Sequence, residues 1–200
     1  MEQVFCIART DLERVFSGPL PAGVAAEPPL ETVLSLPHHF LARDVAEQNS
    51  AYKQIIPYQV FRCGERFFAF RRGGGVGEQR LSGCCSLGIG GHLNHADAGH
   101  GSMEKDDYEQ GLLRERDEEL ICQGTIHSRF IGWINDDSDS VGRVHLGAVH
   151  LCRVQNEGQV RLRPGGEDLQ GLGWLRAGDI RAREDQFEPW SRLALELATR

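Results

Sequence analysis

No stretch of this 200-residue chain approaches the roughly 20 consecutive apolar residues that a membrane-crossing helix needs. The opening Met1-Glu2-Gln3-Val4-Phe5 has neither the basic start nor the apolar run of a secretory signal, so a cytoplasmic location and no membrane partner are expected. Positive charge is scarce as well. Lys and Arg number 22 against 29 Asp and Glu, and the net charge of -7 argues against nonspecific nucleic-acid binding, which needs a basic surface. Gly73-Gly74-Gly75-Val76-Gly77 has neither the G-x-G-x-x-G spacing of a dinucleotide site nor the Lys-Ser/Thr of a phosphate-binding P-loop, and reads as a loop between strands. Cys6, Cys63, Cys84, Cys85, Cys122 and Cys152 include no C-x-x-C pair, and scattered through apolar segments they read as buried free thiols.

What is present is enough apolar sequence, 40%, for one sizeable core. Val4–Ala8 reads as a strand and Asp11–Phe16 as a short helix capped by Thr10 or Asp11. Residues 17–29, with four prolines and two glycines, read as a loop, and Leu30–Leu36 and Phe40–Gln48 as helices. Residues 1–54 therefore look like a small extension, whose apolar content suggests a homodimer contact. Ile56–Arg62 and Glu65–Arg71 form a predicted hairpin turning at Cys63-Gly64, and Ser86–Ile89 a short strand ending in glycines. A helix capped by Asp106 or Asp107 is predicted to run to about Cys122. Strands are expected at 125–135, 144–154 and 159–162. A last helix from Pro189 to about Thr199 places Trp190, Leu193, Ala194, Leu197 and Ala198 on one face. Mixed strands and helices in this order predict an α/β (α+β) sandwich.

The chemistry concentrates in Arg114-Glu115-Arg116-Asp117-Glu118-Glu119. At about 100° per residue, Glu115, Glu118 and Glu119 share one helix face, where like charges repel. Such a face is either solvated or holds a cation. Hard carboxylate oxygens suit Mg²⁺, which also takes substrate phosphate oxygens. Arg114, four residues before Glu118, is placed to pair with it. Upstream, Gly88-Ile89-Gly90-Gly91 forms a turn that lets backbone approach whatever the carboxylates hold.

These residues resemble the Nudix hydrolase family, whose box reads glycine, five residues, Glu, seven residues, Arg-Glu-apolar-any-Glu-Glu-any-Gly-apolar. Arg114-Glu115 and Glu118-Glu119 match its core in identity and spacing, and Gly90-Gly91 resembles the opening glycines. The hairpin and the Ser86–His92 segment are similar to the strands that precede the box. The resemblance covers residues 55–200 and is strongest to a branch of Nudix-type phosphoesterases with a Gly-Ile-Gly-Gly-His turn and a Trp-Ser pair, here Trp190-Ser191. It departs at three positions: Asp106 in the place of the box glutamate, the expected partner of Arg114; Arg116 at an apolar position; and Ile121 at the closing glycine. Gly91 to Asp106 spans 15 positions where the box has six, implying a nine-residue insertion at about Asn94–Met103.

The resemblance implies an α/β/α sandwich with a mixed sheet that hydrolyses a diphosphate linkage in a nucleoside-diphosphate-linked small molecule, using Mg²⁺ or Mn²⁺. Glu118 and Glu119 would be metal ligands, Glu115 a ligand or the group that deprotonates water, and the carbonyl of Gly90 or Gly91 would complete the set. Glu167 is the first candidate for a further carboxylate, with Glu157 and Glu188 behind it. His92, beside the turn, and Arg71, Arg72 and Arg80 are candidates for binding substrate phosphates. His92, His95 and His100 lie near Asp97, but at no usual structural-zinc spacing. Tyr58, Phe70 and Trp133 read as core aromatics. A nucleotide-binding module without turnover is the alternative function.

Overall fold

The computed structural model describes residues 2–73, 83–99, 103–164 and 169–200. The chain opens with β1 (Gln3–Ala8), α1 (Arg9–Val15), β2 (Gly23–Ala25), α2 (Leu30–Leu34), β3 (His38–Ala42) and α3 (Arg43–Ala46). A long hairpin follows, β4 (Tyr52–Cys63) and β5 (Arg66–Arg72), then the short strands β6 (Cys85–Ser86) and β7 (Gly88–Gly90). Next, α4 (Lys105–Glu119) runs directly into β8 (Leu120–Cys122). The strands β9 (His127–Asn135), β10 (His145–Val154), β11 (Val160–Leu162) and β12 (Leu169–Arg176) lead to α5 (Ala177–Arg181) and α6 (Pro189–Ala198).

Among the described residues, ten strands form one mixed sheet with the order β12-β5-β4-β10-β9-β2, and β1, β3, β6 and β7 branch from it. β10 runs parallel to β4 and antiparallel to β9. Its near-continuous apolar sequence fits a strand covered on both faces. Leu146 and Ala148 pack with Tyr108 and Leu112 of α4, while Val149 and Leu151 pack with Ala194, Leu195 and Leu197 of α6. The result is the expected α/β/α sandwich. Tyr58, Phe70 and Trp133 are core, as predicted.

The β4–β5 hairpin pairs only at Arg62↔Phe67 and Cys63↔Arg66, beyond which its arms part. The chain from Cys85 to Gly90 fills the gap: β6 pairs with β5 (Phe70↔Ser86), and β7 with β4 (Tyr58↔Gly90). Leu87, between β6 and β7, is the crossover from one arm to the other.

The first 54 residues are built into this same sheet. β1 is antiparallel to both β3 and β4, and β2 pairs with β9. Phe5, Ile7, Leu12, Leu30 and Val33 share a core with Leu93, Tyr108, Leu112 and Trp133, so these side chains are buried within the chain itself. The expected boundary at residue 54 falls inside β4.

Several predicted elements change. Phe40–Gln48, read as helix, is the end of β3 followed by the short α3, because pairing of His38–Ala42 with Gln3–Ile7 overrides a weak helical pattern. The loop at 17–29 contains β2, and β12, interrupted by Gly171 and Gly173, was not predicted. α1 begins at Arg9, so Thr10 and Asp11 lie inside its first turn and neither caps it. Among the described residues no helix is long and apolar enough to cross a membrane.

Candidate active site

α4 is capped two to three residues earlier than predicted. Glu104 is the N-cap, and Asp107 accepts its N–H at 3.1 Å in a reciprocal capping box, while Asp106 is exposed in the first turn. The helix ends at Glu119, three residues short of the expected Cys122, and Leu120 leaves it in extended conformation with φ of -120°. No left-handed residue is required there, which explains why Ile121 can stand where the box has glycine. The terminal carbonyls are met by Arg163: its Nε donates to Asp117 O at 2.6 Å and its backbone N–H to Glu119 O at 2.8 Å. A cation at that end also complements the helix dipole.

Arg114 organises the acidic face. Its Nε and Nη2 donate to the two carboxylate oxygens of Asp97, each at 2.9 Å, in a paired geometry. Nη1 reaches Glu115 at 2.7 Å and Glu118 at 3.1 Å, and Nη2 also donates to the His92 carbonyl at 2.9 Å. The predicted Arg114–Glu118 pair is therefore present. The predicted partner Asp106 is not: eight residues up the same helix, it lies about 12 Å away along the axis. Asp97 takes that role from within the inserted loop. Its own Oδ2 accepts the Asn94 N–H at 2.9 Å, which holds the carboxylate in place.

Gly91 closes the other side. A Cβ there would overlap the Glu115 carboxylate, so glycine lets this backbone lie against it as it is placed. Burial raises the Glu115 pKa despite the opposing pull of Arg114, while the hydrogen bond to Asp97 raises that of Arg114 and keeps it charged. The hard oxygens of Glu115, Glu118 and Glu119, with a backbone held close by Gly91, suit Mg²⁺ or Mn²⁺ in kind. Among the described residues no group of three or more His, Cys, Asp or Glu is gathered to hold a metal ion. Arg114 stands between Glu115 and Glu118.

The other candidates are dispersed. His92 Nε2 lies 3.2 Å from His145 Nε2. His145 Nδ1 is 2.8 Å from the Val141 carbonyl, which fixes the proton there, so His92 Nε2 is the donor of the pair. Burial, followed by the charge of Arg43, pushes His92 down to about 3, and burial holds His145 at about 4, so both rings are neutral near pH 7. Arg71 Nη1 donates to Gly83 O at 3.2 Å, and Arg72 Nε reaches Glu188 at 3.4 Å. His95 packs edge-on against Phe40 rather than gathering with His92. Glu157 pairs with Arg66 at 3.1 Å, and Glu188 is enclosed with the side chains that pack on α6. Glu167, Arg80 and His100 lie outside the described residues. Sequence reasoning missed Asp97 as the partner of Arg114, although a signal was available: Asp97 stands six positions after Gly91, the box spacing between glycine and acid.

No family model matches the chain. Protein YmaB of Bacillus subtilis (strain 168) is 30% identical over 161 residues, covering 78% of this chain and 76% of its own length. Tm1382, whose crystal structure is described as that of a candidate Nudix hydrolase, is 25% identical with a TM-score of 0.73. That match covers 98% of both chains and so includes the N-terminal strands. The chain belongs to the Nudix hydrolase family.

Proposed function

We propose that the protein hydrolyses the diphosphate linkage of a nucleoside-diphosphate-linked or related small molecule in a reaction that depends on Mg²⁺ or Mn²⁺. The observation that supports this most directly is Arg114 gripping Glu115, Glu118 and Asp97 at once, with Glu115 seated against Gly91. Glu115, Glu118 and Glu119 would hold the ion, which when bound neutralises phosphate charge and lowers the pKa of its water. Arg114 fixes the rotamers of Glu115 and Glu118. Glu115 would either complete that ligand set or take the proton from water.

Turnover of a panel of nucleotide sugars, ADP-ribose, dinucleotides and nucleoside triphosphates with Mg²⁺ or Mn²⁺ tests the proposal. At least one substrate should be cleaved, and Glu119→Gln should lower the rate by about two orders of magnitude or more. Equal rates in the two proteins would remove Glu119 from the site. Tight binding of a nucleotide that neither metal turns over would favour the nucleotide-binding module instead.

A further inference from the structure

Facing α6 is a carboxylate held in a different way. Glu188, 3% exposed, precedes Pro189 at the start of that helix. Its Oε1 accepts from Tyr58 Oη at 2.7 Å, Ser86 Oγ at 2.7 Å and Ser191 Oγ at 3.1 Å, and its Oε2 from Arg72 Nε at 3.4 Å. Its backbone N–H donates to Cys85 O at 3.0 Å. Ser191 Oγ accepts the Leu87 N–H at 2.8 Å, and Ser86 Oγ accepts the Gly88 N–H at 3.3 Å. All four residues from Cys85 to Gly88 are tied into this one knot.

Those residues are the crossover between the arms of the hairpin. Leu87 has left one ladder and not yet joined the other, so its N–H would be buried without a partner if Ser191 did not accept it. The Tyr58 ring completes the support. It occupies the space a Cβ on Gly88 would need and packs closely beneath Gly90. One residue further on, Gly91 meets the Glu115 carboxylate on the other side of the sheet.

We infer that Tyr58, Glu188 and Ser191 are positioning residues for the active site: their hydrogen-bonded knot fixes the Gly88–Gly91 turn and, through it, the backbone that Glu115 rests against. Among the described residues, the hydrogen bonds of Tyr58, Glu188 and Ser191 reach no residue of α4, so their effect on the carboxylates passes through the turn. The inference rests on the reading that Glu115, Glu118 and Glu119 hold a divalent ion.

Mn²⁺ affinity of the full chain, measured by titration calorimetry, tests it without requiring a known substrate. Tyr58→Phe and Ser191→Ala should each weaken Mn²⁺ binding about three- to tenfold, the range expected from losing one fixed hydrogen bond. Leu193→Ala serves as the control. It loosens the packing of α6 without removing a hydrogen bond of the knot, and should lower the melting temperature while leaving Mn²⁺ affinity unchanged. Unchanged affinity in both knot variants would overturn the positioning role, as would an equal loss in Leu193→Ala, which would make the effect one of helix docking. Wild-type protein that binds no Mn²⁺ would instead overturn the metal reading itself, and the positioning role with it. If a substrate is identified, the knot variants should lower kcat more than they change KM.

Discussion

On α4, Glu118 is 60% exposed and Glu115 16%, and both are held by one guanidinium that also serves Asp97. Facing α6, Glu188 is 3% exposed and held chiefly by three hydroxyls. The two arrangements show what makes a carboxylate available. On α4, like charges crowd together and a single cation tempers them, which leaves negative charge exposed for the divalent ion we propose. In the knot, three hydroxyls and the Arg72 guanidinium occupy both oxygens of one enclosed carboxylate and lock its geometry. The α4 face gathers several carboxylates around one cation, whereas the knot gathers several donors around one carboxylate.

The largest expected effect that would break this comparison is at Asp97. Asp97→Ala leaves two donors of Arg114 without their acceptor in a half-buried setting, and should lower stability by about 2 kcal/mol and kcat/KM by roughly tenfold or more. Denaturant melts and single-substrate kinetics would measure both. Asp106→Ala should change neither. If the two variants behaved alike, Asp97 would lose its claim as the partner of Arg114.

A pH titration should sharpen the contrast next, because the α4 side carries a buried neutral histidine under the helix. Tyr108 Oη lies 2.8 Å from His150 Nε2, and burial holds this ring at about 4. The unfolded chain therefore takes up a proton below about pH 6.5 that the folded protein refuses until about pH 4. Stability contributed at neutral pH is lost as pH falls through that window. Urea melts between pH 7 and 4 should show the loss, and His150→Gln should flatten the slope by about one proton. An unchanged slope would mean that the ring protonates freely in the fold. The smallest effect is expected at the end of α4, where Arg163→Gln should cost about 1 kcal/mol in a thermal melt with little change in rate.

Much of this was legible before any coordinates. The hairpin announced itself by alternation, α6 by its i, i+3, i+4 stripe, and the acidic face by spacing alone, because all three depend on local period. Residues 38–42 did not, since their strand character comes from a partner some 35 positions away in β1. Asp97 was hidden for a different reason. An insertion can be counted on either side of the box acid, and counting back along the helix selects Asp106. Only the reach of the Arg114 side chain decides between them. Glu188 was visible as a carboxylate, but not as one closed off by Tyr58, Ser86 and Ser191, because those contacts join positions more than a hundred residues apart as well as near neighbours.

The clasp between Asp97 and Arg114 also has a practical meaning. It closes before the remainder of the inserted loop begins, and the Glu104–Asp107 capping box restarts the helix after it, with the Gly99 N–H held by Asp107 at 3.3 Å. The two anchors involve different side chains, Arg114 with Asp97 and Asp107 with Glu104, so neither depends on the other. The clasp and the capping box are thus two separate stitches that set the registration of α4 against the Gly88–Gly91 turn.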